Sequence, residues 1–460
     1  MTSCCQTNCG SKPIWSRAKG LHNILLFTVV LMFATATIAQ QPIPSPTPAD
    51  LQPQPSPETS PAEEARPLYG LQGVLVETPN GKVVAAQAAT QPFNPASAVK
   101  LATALVALQT LGPQHRFATG VWTDGTLDKS TGKLIGNLYI SGRDPSFHYE
   151  HAILLARELN RLGIKEVSGD LYVAPGFTMN FSASSLRSGE QLYDNLDSTL
   201  RYGDAIRAWN YERGLLKDQS NLNPSVAVMG GVDVAPVASS AKLLLTQRSS
   251  KLVDILKVLL CYSNNFMAER IGETLGGPES VRQQLTRSLN IPADDIRLSS
   301  LSGLGVNRIS PVVMMKIYRA LLANLKKNGL SASDILPVAG IDPGTLKERF
   351  AGPAWRGSVI GKTGTLVRTD GGASALVGQM RTANGEVLYF VIMNQRGSVP
   401  RFRENQDYLV MLIQNTRGGP KPFAYNPIAL SMQLSDTESS LSASEEFETK
   451  PKSLLSPPDN

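Results

Sequence analysis

A serine hydroxyl is a poor nucleophile at neutral pH and needs a base within hydrogen-bond reach. Ser97-Ala98-Val99-Lys100 offers both within one helical turn, with the lysine on the serine's face. Ser263-Asn264-Asn265 adds a second hydroxyl and an amide, and Gly361-Lys362-Thr363-Gly364 adds a second cation beside threonine hydroxyls. Each motif alone is weak, because a serine at a helix start is an ordinary N-cap and a Lys-Thr pair suits any solvated strand edge. The three in this order describe one site for serine acyl transfer.

The chemistry assigns roles. Lys100 serves as the base if it is deprotonated, which desolvation and a second nearby cation, Lys362, would favour. If Lys100 stays charged, a proton relay through Ser263 is the alternative. The attacked carbonyl becomes an oxyanion, and backbone N–H groups at the start of the Ser97 helix, with one from the strand of Lys362, are placed to hold it. Lys362 and the hydroxyls of Thr363 and Thr365 would read a substrate carboxylate, which suggests specificity for a free C-terminal acid.

Other constellations carry less. Cys261 precedes Ser263 by two residues, but its apolar flank Leu259-Leu260 and the lack of a nearby histidine point to a buried, inert thiol. A Ser-His-Asp triad lacks a Gly-x-Ser-x-Gly elbow and has only His115, His148 and His151 beyond the leading segment. His148-Tyr-Glu-His151 lacks the His-Glu-x-x-His spacing of a zinc helix, so no metal and no organic cofactor is expected.

The 460 residues, 42% hydrophobic and 18% charged, have an ordinary globular balance. Of the formal charge of +6, three units (Lys12, Arg17 and Lys19) lie in a leading segment, which argues against a nucleic-acid binder. Basic residues followed by the apolar run Ile24 to Ala39 and the small-residue site Thr37-Ile38-Ala39 read as an export signal over 1–39. The run is short of the about 20 residues a bilayer-spanning helix needs, so membrane attachment is expected only if the signal stays uncleaved. Cleavage would remove Cys4, Cys5 and Cys9 and leave Cys261 as the one cysteine of the four, with no internal disulfide.

Residues 40–67 are rich in Pro, Gln, Ser and Glu and read as an extended tether. Residues 417–460, Ser- and Glu-rich from Ser435, read as a disordered tail. Between them, Leu71 to Ala88 predicts a hairpin around Pro79-Asn80-Gly81, and Ser97 to Leu111 a helix stopped by Gly112-Pro113. The near-repeat Gly136-Asn-Leu-Tyr-Ile140 and Gly169-Asp-Leu-Tyr-Val173, separated by an amphipathic stretch from Ala152 to Leu162, is a β-α-β pattern inside a module inserted over 114–237. Gly176 to Asn223 is polar and without period. Lys251 to Leu260 and Met267 to Leu275 predict helices with Ser263-Asn264-Asn265 on their joint. Val359 to Leu366, Ala373 to Met380 and Val387 to Met393 predict antiparallel strands, the last two around Asn384-Gly385.

With Pro95-Ala-Ser-Ala-Val-Lys100, Ser263-Asn-Asn-Phe-Met-Ala-Glu269, Ser302-Gly-Leu304, Asn307-Arg-Ile-Ser310, Leu336-Pro-Val-Ala-Gly-Ile-Asp342 and Gly361-Lys-Thr-Gly-Thr-Leu366 in view, the chain resembles the serine D-alanyl-D-alanine carboxypeptidase/endopeptidases. These are the low-molecular-mass class C penicillin-binding proteins, and the resemblance runs from about Leu71 to Asn415. It implies an α/β penicillin-binding/β-lactamase-like transpeptidase fold: an antiparallel sheet flanked by helices, plus a helical lobe. The peptidase domain would be discontinuous, 68–113 and 238–416, with an inserted α+β module. The resemblance further implies Ser97 as acylated nucleophile, Lys100 as its base and Ser263 as proton relay to the leaving amine. Asn265 would hold the substrate backbone, Lys362, Thr363 and Thr365 the terminal carboxylate, and the N–H groups of Ser97 and Thr365 the oxyanion. Implied partners are peptidoglycan stem peptides ending in D-Ala-D-Ala and β-lactam antibiotics, in the periplasm or another extracytoplasmic compartment of a bacterial envelope.

The chain departs from the family at Ser141-Gly142-Arg143-Asp144-Pro145 and at Ser300-Leu301 before Ser302-Gly303-Leu304. Two other functions compete with the peptidase. A β-lactamase of class A needs a Glu-x-x-Leu-Asn segment between the second and third motifs, and none occurs between Ser263 and Lys362. A non-catalytic peptidoglycan-binding protein on the same fold would not need the intact Ser97, Lys100, Ser263 and Lys362.

Overall fold

The computed structural model describes residues 69–217 and 219–442. The expected export signal and tether, and the end of the tail after 442, lie outside the described residues.

Five strands form an antiparallel sheet in the order Val359–Leu366, Ala373–Arg381, Val387–Gln395, Leu71–Glu77, Val83–Gln87. Strands from the two ends of the described chain thus lie side by side, Leu71 opposite Gln395. Side chains alternate between the two faces. Leu75, Val377, Val391 and Met393 join one core with three helices, Lys100–Thr110, Leu252–Tyr262 and Pro311–Lys327. Val76, Leu376, Phe390 and Ile392 pack on the opposite face with Val410 of the helix Val399–Asn415.

The helix Lys100–Thr110 is buried continuously from Lys100 to Leu108. Its sequence, Ala- and Leu-rich on every side, suits a helix with no solvent face. Truncating Leu105 to alanine there removes contacts on a fully buried position, which typically costs about 2–5 kcal/mol. This helix holds Lys100 at its first turn, so the core sets the position of that lysine.

Residues 118–248 build two further sheets. The larger has the strand order Val232–Val234, Leu171–Val173, Leu138–Gly142, Ala118–Thr123, Lys242–Arg248, Glu438–Leu441. Leu138–Gly142 and Leu171–Val173 pair in parallel, with the helix Tyr149–Arg161 between them in sequence, as the near-repeat predicts. The boundary at 237 needs correction: Lys242–Arg248 belongs to this sheet, paired antiparallel with Ala118–Thr123.

Two expectations differ from the structure. The unassigned stretch 176–223 contains the helices Ser185–Leu196 and Gly203–Arg213. The buried positions of the first include Ser188, Gly189 and Asn195, so a hydrophobic period is not visible there. A Cβ on Gly189 would sit 2.8 Å from Val232 Cγ1, and this close packing replaces side-chain bulk. The tail is ordered between 417 and 442, where Glu438–Leu441 adds an edge strand to Lys242–Arg248 and Arg116 pairs with Asp436 at 2.7 Å and Glu438 at 3.1 Å. Main-chain pairing to an existing edge asks little of side-chain type, so a Ser- and Glu-rich segment gives no sign of it.

Candidate active site

Ser97 stands in a 3-10 turn, Ala96–Val99, that leads directly into the helix Lys100–Thr110. The turn is set by its neighbours. Ala96 has a left-handed φ of 47°, and its N–H donates to Asn94 Oδ1 at 3.0 Å. Asn94 is fixed in turn by its Nδ2 donating to Asp370 Oδ2 at 2.7 Å, and Asp370 is paired with Arg308 at 2.7 Å. Two glycines close on the same bend: a Cβ on Gly364 would lie 2.3 Å from Pro95 O, and one on Gly303 2.2 Å from Ala96 O. Both glycines are therefore required for the main chain to approach the serine turn.

Lys100 Nζ is 3.0 Å from Ser97 Oγ and donates to Asn265 Oδ1 at 2.7 Å and to the carbonyl of Ser302. The lysine is completely buried. Burial lowers its pKa to about 7, against the Glu269 carboxylate, which pulls it upward. A base with a pKa near the working pH combines a usable neutral fraction with proton affinity. Glu269 also accepts from Ser302 N at 2.9 Å, so it shapes the loop whose carbonyl receives Lys100.

Ser263 ends the helix Leu252–Tyr262 in a left-handed conformation, φ 56°. Asn264 then caps the helix Asn265–Thr274, its Oδ1 accepting from Met267 N at 3.0 Å. The joint is as expected, and its geometry turns Ser263 Oγ toward Lys362 Nζ at 2.8 Å. Lys362 also donates to Thr363 O at 2.7 Å and has no exposed surface. Burial first, then the nearby Lys100, holds its pKa well below the ordinary lysine value. The two hydroxyls therefore belong to separate lysines, Ser97 to Lys100 and Ser263 to Lys362.

A cleft of about 530 Å³ is bordered by Ser97, Ser263, Asn265, Thr363 and Thr365. The structure brings all seven predicted residues together, since Lys100 and Lys362 lie beneath this floor on Ser97 and Ser263. Sequence reasoning missed Arg349, Arg403 and Asp407, which line the same cleft. Arg403 donates to Thr365 Oγ1 at 2.8 Å from the first turns of the helix Val399–Asn415. Nothing in the local sequence marks that helix as part of a site, because only the fold brings it to the Lys-Thr-Gly strand.

The cysteine and the histidine pair singled out in the sequence have structural roles. Cys261 is buried, and burial pushes its thiol up to about 12. His151 Nδ1 accepts from His148 N at 2.9 Å, and its Nε2 lies 3.1 Å from Leu434 O, so this pair caps the helix Tyr149–Arg161 and meets the tail.

The pattern of the D-Ala-D-Ala carboxypeptidase 3 (S13) family matches residues 68–214 and 210–416. The chain belongs to that family. It is a serine hydrolase with the family's D-Ala-D-Ala carboxypeptidase/endopeptidase function. A D-alanyl-D-alanine carboxypeptidase of Actinomadura sp. (strain R39) is 25% identical over 76% of this chain and 82% of its own length. A carboxypeptidase of Mycobacterium tuberculosis (strain ATCC 25618 / H37Rv) is 27% identical over 69% and 74%. Among solved structures, a predatory peptidoglycan endopeptidase from Bdellovibrio bacteriovorus has a TM-score of 0.66 at 21% identity, covering 80% of this chain and 98% of its own. Penicillin-binding protein 4 from Haemophilus influenzae has a TM-score of 0.56 at 21% identity, over 75% and 97%. The two structures share the penicillin-binding fold with this chain.

Proposed function

We propose that the chain trims peptidoglycan stem peptides through an acyl-enzyme on Ser97, acting as a carboxypeptidase on terminal D-Ala-D-Ala and also on D-Ala cross-links. The observation that carries this is Lys100 Nζ at 3.0 Å from Ser97 Oγ, buried and with its pKa lowered to about 7. Neutral Lys100 takes the Ser97 proton as Oγ attacks the carbonyl carbon of the penultimate D-Ala. The tetrahedral oxyanion forms beside the N–H groups of Ser97 and Thr365. Collapse breaks the C–N bond; Ser263, oriented by Lys362, gives its proton to the leaving amine and takes up the one that Lys100 accepted, which leaves Lys100 neutral again. Water then hydrolyses the Ser97 ester with the same base.

Asn265 has its Oδ1 occupied by Lys100 at 2.7 Å, which leaves its amide N–H groups for a substrate carbonyl. Thr363 and Thr365, on the edge strand above Lys362, hold the terminal carboxylate. β-Lactams acylate the same serine, and the missing Glu-x-x-Leu-Asn base supports slow rather than rapid release. The export features of 1–39 support a site of action in the cell envelope, outside the cytoplasm.

The test is release of D-alanine from an N-acetylated pentapeptide ending in D-Ala-D-Ala. The wild type releases one D-alanine per peptide and Ser97→Ala releases none. Equal release from both proteins, or binding of peptidoglycan without any release, contradicts the proposal.

A further inference from the structure

The two lysines of the site are poorly placed to attract a carboxylate. Lys362 is completely buried and committed to Ser263 Oγ and Thr363 O, at 2.8 and 2.7 Å. Lys100 is equally buried, and its Nζ points to Ser97, Asn265 and Ser302. Burial lowers the proton affinity of both. The positive charge that faces the cleft therefore comes from elsewhere.

Two guanidinium groups, Arg349 and Arg403, line the cleft together with the carboxylates Glu348, Glu404 and Asp407. Arg349 is neutralised by Asp407, with contacts of 2.6 and 2.9 Å. Arg403 makes no close ion pair among the described residues: Glu404 is held by Arg401 at 3.0 Å, and Asp407, which feels the charge of Arg403 from farther off, is bound by Arg349 at 2.6 Å. Arg403 Nη2 donates instead to Thr365 Oγ1 at 2.8 Å, the hydroxyl at the cleft end of the Lys-Thr-Gly strand. A guanidinium keeps its charge at any working pH and presents several N–H donors in one plane, so one contact to Thr365 leaves donors for an anion beside it.

We propose that Arg403 is a specificity-determining residue of the cleft, which together with Thr365 receives the carboxylate on the leaving side of the substrate. The inference rests on the Ser97 acyl-enzyme proposed above. It assigns Lys362 to Ser263 and the proton path, and gives carboxylate recognition to a side chain from the last long helix. Substrates and inhibitors with a free carboxylate next to the scissile bond are selected over neutral analogues of the same shape.

The experiment compares second-order acylation rates for benzylpenicillin and its neutral methyl ester in wild type, Arg403→Ala, Arg403→Lys and Lys82→Ala. A lost charge-assisted hydrogen bond predicts that Arg403→Ala lowers the acid-to-ester rate ratio about 10- to 100-fold, through the acid rate alone. Arg403→Lys restores part of the ratio, and Lys82→Ala, on the far edge of the sheet, leaves it unchanged. The ester rate reports whether each variant retains a working site, and Arg403→Gln replaces the alanine variant if that one loses its fold. An unchanged ratio, or acid and ester rates that fall together, overturns the assignment. Failure of wild type to form an adduct with either compound is a separate outcome that removes the Ser97 reading and this inference with it.

Discussion

Lys362 donates to Ser263 Oγ at 2.8 Å, whereas Lys100 lies on Ser97 Oγ at 3.0 Å. The Ser263 hydroxyl is therefore held by a different lysine from the one on Ser97. In the proposed mechanism, loss of the Ser263 hydroxyl removes proton delivery to the leaving amine while Lys100 stays on Ser97. Ser263→Ala is expected to keep the fold and lower D-alanine release by about 10²–10⁴, a general acid's typical contribution. A rate within a factor of two of wild type, measured on the pentapeptide, contradicts the relay.

Burial sets the pH dependence. In the proposed mechanism Lys100 works as a base in its neutral form, and its pKa is lowered to about 7. Below that value the ammonium predominates and acylation falls; above it the rate levels off. Stopped-flow acylation by benzylpenicillin from pH 5 to 9 should show this rising limb centred near 7. A limb still rising through pH 9 would mean that the lysine keeps its ordinary proton affinity and that another group is the base.

Gly303 adopts φ +93°, and a Cβ there would lie 2.2 Å from Ala96 O, one residue before the nucleophile. Gly303→Ala forces a left-handed alanine, costing about 1–3 kcal/mol, and displaces the serine turn. A displacement near 1 Å lowers rate about 10²-fold. Thermal melting and acylation rate measured together should both fall, and a normal acylation rate contradicts the close-approach argument.

Lys257 and Asp342 form a buried pair at 2.6 Å, and Asp342 also accepts from Val338 N at 2.8 Å and from Tyr425 at 2.7 Å. Val338 bridges to Ile360 on the Lys-Thr-Gly strand, so this network supports the strand from behind. Removing one partner leaves a buried charge, and Lys257→Met should destabilise by about 3–5 kcal/mol in urea unfolding. The double variant Lys257→Met with Asp342→Leu should lose less than the sum of the two single changes. Strict additivity contradicts a direct pair.

The catalytic motifs were legible because each is a short run fixed by local structure: a turn entering a helix, a joint between two helices, an edge strand. The strands were legible from period and turn signals, as at Asn384-Gly385. What escaped depends on distant parts of the chain. Arg403 comes to Thr365 from 38 residues away, and Asn94 is locked by Asp370 from 276 away. The helix Ser185–Leu196 hides its buried face behind Ser188, Gly189 and Asn195. Glu438–Leu441 is ordered by main-chain pairing that leaves no mark on its composition.

The central claim is that Ser97 forms a covalent acyl-enzyme. Intact mass of the protein and of Ser97→Ala, followed over time after addition of benzylpenicillin, tests it most directly. A persistent gain of one penicillin on wild type and none on the variant is the predicted result. No adduct on wild type, or the same adduct on both, contradicts it.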